Sequence, residues 1–494
     1  MAIKKNNFVI ILSLLGVAIA VLMISILEDN LTIFIMFLLF LLLGGVICYL
    51  EDKSLISKVF IPAFIIRILF VSLLYYILIY FNGIPFIINI TGTTDDYHYF
   101  EIGKEVCNTW MKHMNYNWTK EFNFPGYIYL IGGLNYFTNL FGQFHQIIIL
   151  FLNCLAGSIS IIYVYKISQL VFDDKVAKTA STICIYFPYL LYYSSLILKD
   201  TIIYTLILAI IYYIYYLYYN KFNTVYLTLV FLLSYLLLYF RSESLYLIIV
   251  ILGLFLATRL RFKQKPRILI RWIIYLMSFI VIGFKYNLYN NILNILNNIP
   301  NKILLWDARA VSLASSGSLA VKYIFTLPPV IKELVKVLYL LFTPFPFWSW
   351  NIKGTFNINL FCEGISNLVL NILLPFFIIG VIVASKKKFR RKSFLLLITT
   401  ILFIVLLGIL TPFARYRIQI LPLIIIISAF GIVNKHKYRW IIELYFFLWC
   451  SLYIIYITIK YNFLGLLIFL ILVSLVLFFV NEKNKIILKI SKIN

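Results

Sequence analysis

The chain has 494 residues, 63% hydrophobic and only 12% charged, with a formal net charge of +25. Soluble domains run near one half apolar and about one quarter charged, which excludes an ordinary soluble enzyme. The positive excess does not indicate nucleic acid either, because the lysines and arginines stand in short clusters between apolar stretches, where they mark cytoplasmic ends.

Apolar stretches of about 17–25 residues recur along the chain, each long enough to cross a hydrocarbon core of roughly 30 Å. Backbone groups in lipid must pair within their own segment, so these stretches are helices. The fold expected is therefore all-α, a polytopic transmembrane bundle of about 14 spans with an outer-face loop and juxtamembrane helix region. The spans begin near Phe8, Leu31, Val59, Ile147, Val176, Thr201, Thr224, Ser244, Ile268, Leu368, Phe394, Ile418, Ile441 and Phe463. The first helix has no small-residue cleavage pattern before Glu28, so it is expected to stay uncleaved.

With the N-terminus in the cytoplasm, every strongly basic cluster falls on one side: Lys53/Lys58, Lys175/Lys178, Lys221, Arg259 to Arg267, Lys386 to Lys392, Lys435 to Arg439 and the Lys-rich tail. Both termini are then cytoplasmic. Two long segments fall outside, at about 82–145 and 285–367. Pro125 to Phe141, apolar but rich in Gly, Asn and Tyr, reads as a helix at the interface. The later segment holds the aromatic-proline run Phe342 to Trp350, suited to the headgroup zone. Residues 1–58 carry two helices ahead of a core at 59–433, and 434–494 carry C-terminal spans and the basic tail.

Most ionisable residues are explained as topology signals. Those near outer span ends are not. Thr93 to Tyr99 contains adjacent carboxylates, Asp95 and Asp96, followed by Tyr97 and His98. Such a pair serves as a general base for a hydroxyl or holds a divalent ion against a phosphate, and a solvated, capped loop accounts for it equally. Lys199-Asp200 and Arg241-Ser-Glu243 stand at outer span ends, where an ion pair or a capped turn suffices. Arg415-Tyr-Arg417 runs against the charge trend, and planar guanidinium forks suit lipid phosphate oxygens. Asp307/Arg309 is weakly specified, and Arg67, inside the third span, either snorkels or pairs with another helix. Six cysteines are too scattered for a zinc site or a disulfide framework.

Taken in order, these features resemble the C-type (GT-C) glycosyltransferases, which include protein O-mannosyltransferases and aminoarabinose transferases of lipid A. The matching features are Asp95-Asp96-Tyr97, Phe124-Pro-Gly-Tyr127, Phe141-Gly142, Asp173 to Ala177, the mid-helix Pro188, Lys199-Asp200, Arg415-Tyr-Arg417, Leu421-Pro422 and Ala429-Phe-Gly431. The resemblance implies a polyprenyl-phosphate sugar donor and transfer on the outer face; it requires no cofactor, and a divalent ion, where one takes part, is expected on Asp95 and Asp96. It assigns Asp95 or Asp96 to catalysis and Arg415 and Arg417 to the lipid phosphate, with Lys199, Asp200, Arg241, Glu243, Tyr97 and His98 lining the substrate site. Two departures stand out: Lys199-Asp200 replaces the family's usual charged pair, and two helices precede its core.

The expected setting is a bacterial cell membrane, with membrane lipids and a glycan, lipid or protein acceptor as partners and no nucleic acid. Two other readings compete. A cell-envelope polysaccharide polymerase would use polyprenyl-pyrophosphate-linked repeat units. A lipid or polysaccharide flippase would place charges through span interiors and broken helices near the midplane.

Overall fold

The computed structural model describes residues 2–89, 92–93, 95–114, 125–220, 223–241, 253, 327–343, 350–352, 355–410 and 414–461. The spans expected near Ser244, Ile268 and Phe463, together with Glu243, Asp307, Arg309 and most of the aromatic-proline run, lie outside the described residues.

The described chain is an all-helical bundle with two minimal antiparallel ladders, β1 (Ile88–Asn89) with β2 (Gly92–Thr93) and β3 (Asn351–Ile352) with β4 (Thr355–Phe356). The helices are α1 (Ala2–Leu27), α2 (Thr32–Asp52), α3 (Ile61–Asn82), α4 (Asp95–Met111), α5 (Gly126–Thr138), α6 (Gln146–Val171), α7 (Asp174–Tyr186), α8 (Pro188–Ser194), α9 (Asp200–Tyr219) and α10 (Thr224–Phe240). After the undescribed stretch come α11 (Pro329–Phe342), α12 (Ile358–Ala384), α13 (Lys387–Leu410), α14 (Leu421–Val433) and α15 (Arg439–Tyr461). Among the described residues, 6 helices are long and apolar enough to cross a membrane. These include α1, α2, α6, α9, α12 and α3 extended back to Ile56.

Local signals set several boundaries. The side chains of His145, Asp173, Asn223 and Asn357 accept backbone N–H bonds at the starts of α6, α7, α10 and α12, satisfying donors that the first helical turn leaves unpaired. Gly83 ends α3 at φ 72°, a left-handed cap that a side chain would oppose. The single span expected from Val176 is instead two helices. Phe187 is extended at ψ 117°, as a residue before proline prefers, and Pro188 starts α8 because it has no N–H for a continuing helix.

Packing ranks the helices from lipid to core. In α1 and α2, only 22% and 33% of the apolar window is buried, and residues such as Leu12, Leu15, Ile19 and Leu42 face outward. In α6 and α9 the buried share is 83% and 78%, so these two form the centre. Helix α14 has 13 residues, about 20 Å of rise, and is apolar on every side. Its residues from Leu421 to Gly431 are all buried, as expected of a helix enclosed by others rather than facing lipid. It approaches α12 so closely that a Cβ on Gly431 would lie 1.9 Å from the Phe376 carbonyl oxygen.

Helices α6, α9, α12 and α14 start, and α10 ends, at one end of this bundle, and α4 begins there too. The basic connections around Lys175, Lys386 and Lys435 follow the opposite ends of α6, α12 and α14.

Candidate active site

Asp95 and Asp96 are the first two residues of α4, where negative charge suits the helix dipole. Adjacent positions on a helix turn 100° apart, and the two carboxylates go separate ways. Asp96 is 2% exposed and folds back: Oδ2 accepts from the Ile87 N–H at 3.0 Å and Oδ1 from the Tyr97 N–H at 3.0 Å. Asp95 is more than half exposed and reaches Arg415, whose Nη1 donates to Oδ2 at 2.7 Å.

Asp200 opens α9 and is 1% exposed. Its Oδ2 accepts a hydrogen bond from Arg415 Nε at 2.8 Å and lies 2.7 Å from Nη2 of the same guanidinium. Its Oδ1 accepts no hydrogen bond among the described residues, with Arg241 Nη1 3.7 Å away. Arg415 thus bridges α4 and α9 from the connection between α13 and α14. Burial works against its charge, but Asp200 and Asp95 outweigh that and hold its pKa well above the ordinary value. Three-quarters buried, it remains open to a ligand along one side.

Aromatic rings floor this cluster. The Arg241 guanidinium lies 4.0 Å from the Tyr416 ring centroid, and the Lys199 ammonium 5.8 Å from that of Tyr99. Tyr99 meets Tyr127 edge to face at 5.4 Å. Burial raises the Tyr99 hydroxyl well above the usual phenol range, although Arg415 pulls the other way, so it stays a neutral donor at physiological pH.

Asn153 sets the height of the floor. Its Nδ2 donates to the Tyr127 hydroxyl at 3.1 Å and to the carbonyls of Leu196 and Leu198 at 2.6 and 3.2 Å. Those carbonyls belong to the turn that delivers Lys199 and Asp200. Gly126 contributes by close approach: a Cβ there would stand 2.6 Å from the Tyr239 carbonyl oxygen, two residues before Arg241.

Arg417 does not share this cluster. Arg415 and Arg417 lie on a 3₁₀ turn, Ala414–Gln419, where residues i and i+2 point about 240° apart around the axis. Arg417 is 1% exposed, and its Nη1 donates to the carbonyls of Leu340, Leu341 and Thr343 at 3.3, 3.1 and 2.8 Å and to Asn367 Oδ1 at 3.2 Å. It therefore caps the C-terminal end of α11. The Tyr97 ring packs on Phe86 at 5.3 Å, and His98 is exposed. Among the described residues, no group of three or more His, Cys, Asp or Glu could hold a metal ion.

Asn153 and Glu363 stood in no motif of the sequence, and Tyr127 stood in the run Phe124-Pro-Gly-Tyr127 without an assigned role. A lone asparagine in the apolar run Leu152-Asn-Cys154 was the available signal, because an unpaired amide in lipid is costly.

One family model matches, that of dolichyl-phosphate-mannose-protein mannosyltransferases, over residues 125–287. This is roughly a third of the chain and includes Tyr127, Asn153, Asp200 and Arg241. Comparison with curated proteins gives no match. Among solved structures, the chain is similar to the archaeal oligosaccharyltransferase AglB from Archaeoglobus fulgidus, in complex with an inhibitory peptide and a dolichol-phosphate. Identity is 14% and the TM-score 0.41, over 76% of this chain and 51% of that one, so the chain spans about half the length of that protein.

Proposed function

We propose that this chain, an integral membrane glycosyltransferase of the C-type, moves a sugar from a polyprenyl-phosphate donor to an acceptor hydroxyl on the outer face of the membrane. The observation that carries the reading is Arg415, fixed between buried Asp200 and exposed Asp95 at the end of the bundle away from the basic connections.

In this mechanism Asp200 holds the guanidinium, and Arg415 Nη1 is the group a lipid phosphate meets. A phosphate there takes the donor that Asp95 occupies and frees the Asp95 carboxylate. The acceptor hydroxyl oxygen attacks the anomeric carbon while the bond from that carbon to the phosphate oxygen breaks. The hydroxyl proton passes to Asp95, and the bonding pair leaves with the lipid phosphate. Arg415 is aimed where that negative charge grows, which is where fixed positive charge is most effective. The acceptor hydroxyl is too weak an acid to react unaided, so a carboxylate in hydrogen-bond reach is needed.

A second reading, polymerisation from a pyrophosphate donor, is favoured by one feature. Arg241 places another guanidinium beside Asp200, and two cations match two phosphates.

The test is turnover by purified protein in lipid, scoring polyprenyl phosphate or pyrophosphate released from candidate lipid-linked sugars. Asp95→Asn is expected to lower turnover by about 10²-fold or more. Arg415→Ala is expected to cost about 10²–10³-fold. Turnover that survives Asp95→Asn rejects the base assignment, and no release from any donor rejects the reading.

A further inference from the structure

Along α12, one turn apart, stand Asn359, Glu363, Asn367 and Asn371, a polar ladder in a helix otherwise built to cross a membrane. Each rung is engaged. Tyr192 donates its hydroxyl to Asn359 Oδ1 at 2.5 Å, and Tyr193 donates to Glu363 Oε1 at 2.9 Å. Arg417 donates to Asn367 Oδ1, and Tyr445 to Asn371 Oδ1.

Glu363 is the one rung that carries charge, and it is bonded differently from the rest. A carboxylate has two oxygens and about four acceptor sites. Among the described residues only Oε1 is engaged, by one tyrosine, and no cation lies within ion-pair distance. A charge at the end of an apolar helix, held by one hydroxyl and still partly exposed, has a cost that a structural role does not require.

Position suggests what offsets the cost. The Tyr193 carbonyl accepts from Thr201 Oγ1 at 3.0 Å, one residue past the Asp200 that holds Arg415, while its hydroxyl reaches Glu363, so the carboxylate stands one tyrosine side chain away from the site assigned to the lipid phosphate. In a polyprenyl-phosphate sugar the ring is joined to the phosphate through the anomeric oxygen alone. A group one side chain from the phosphate-binding residues is therefore within reach of the hydroxyls of the donor ring. A carboxylate with a free oxygen accepts hydrogen bonds from such hydroxyls, and the Tyr193 hydroxyl fixes its rotamer.

Resting on the glycosyltransferase reading, we infer that Glu363, oriented by Tyr193, binds hydroxyl groups of the donor sugar and sets the preference for that sugar. Glu363 contacts substrate in this scheme, and Tyr193 is a positioning residue.

The experiment measures binding to nanodisc-embedded protein of bare polyprenyl phosphate and of polyprenyl phosphate carrying mannose, glucose or galactose. Wild type is expected to bind one sugar-bearing lipid more tightly than the bare lipid. Glu363→Gln, which keeps shape and removes charge, should weaken that lipid about tenfold or more and leave the bare lipid unchanged. Tyr193→Phe keeps the carboxylate and should show a smaller loss of the same kind; it carries the test if Glu363→Gln fails to fold. Equal affinity of wild type for bare and sugar-bearing lipids overturns the inference, as does a loss in Glu363→Gln shared by both lipids. Failure of wild type to bind any of them defeats the parent reading instead.

Discussion

Arg415 and Asp200 are 215 positions apart in the chain and meet at one carboxylate oxygen, to which Nε donates at 2.8 Å and beside which Nη2 lies at 2.7 Å. Because Asp200 is nearly inaccessible, this contact is both the anchor of the site and the neutralisation of a buried charge.

Removing only the cation should therefore harm the fold as well as turnover. Arg415→Ala leaves buried Asp200 with only the more distant Arg241 and should cost about 2–3 kcal/mol, below the full penalty of an unpaired buried charge. Adding Asp200→Asn should restore much of that stability and none of the activity. Thermal unfolding of both single variants and the double variant, beside turnover, closes the cycle. Additive losses of stability would show that the pair is not coupled.

The two adjacent carboxylates should separate by phenotype. Asp96→Ala strips acceptors from the Ile87 and Tyr97 N–H groups and should destabilise by about 1–3 kcal/mol. Asp95→Asn should leave the melting temperature near wild type while turnover collapses. The reverse pattern would exchange their roles.

Arg417→Ala should read as a folding defect. It leaves the Leu340, Leu341 and Thr343 carbonyls at the end of α11 without their donor, for a loss of about 2–4 kcal/mol. Among molecules that remain folded, affinity for bare polyprenyl phosphate should stay within about twofold, less than half a kcal/mol. A selective loss of lipid binding with normal melting would return Arg417 to the phosphate.

The N-terminal hairpin depends on a largely enclosed ion pair at the other end of the bundle. Lys166 of α6 pairs with the Glu51 carboxylate of α2 and donates to the Glu51 carbonyl at 3.0 Å, while Tyr213 of α9 donates to the same carboxylate at 2.5 Å. Lys166→Met leaves that carboxylate with only the Tyr213 hydroxyl and should cost about 1–3 kcal/mol. Limited proteolysis of the α1–α2 hairpin and the melting temperature are the readouts.

Acid should loosen the opposite end of the same hairpin. His145 caps α6 through Nδ1, which must be unprotonated to accept the Ile147 N–H, and its Nε2 lies 3.5 Å from Glu28. Burial lowers its pKa, with Glu28 pulling the other way. Since the folded value lies below the unfolded one, this contribution is complete above the unfolded value near 6.5 and is lost as pH falls toward the folded value. Melting temperature should fall from pH 7 to 5 in wild type and fall less steeply in His145→Asn, which keeps a capping side chain without the titration.

The sequence by itself determined the class of molecule. Apolar runs long enough to cross a bilayer can satisfy their backbones only as helices, and clustered Lys and Arg separate one set of ends from the other. Local chemistry also placed several boundaries, because a cap such as Asp173 or Asn357 acts within three residues. The break before Pro188 carried its signal in the proline, yet hydropathy alone runs across it.

Tertiary structure decided which polar residues face each other. Arg415 and Arg417 are the same residue type two positions apart, and only the phase of a 3₁₀ turn sends one to Asp200 and the other to the end of α11. Asp95 and Asp96 divide in the same way at the start of α4. Asn153 and Glu363 gave little local sign of partnership, since their partners stand 43 and 170 positions away, one in the turn before α9 and the other on α8. Hydrophobic pattern fixes a segment against lipid through local periodicity, whereas the direction of a side chain within the bundle depends on how distant helices pack.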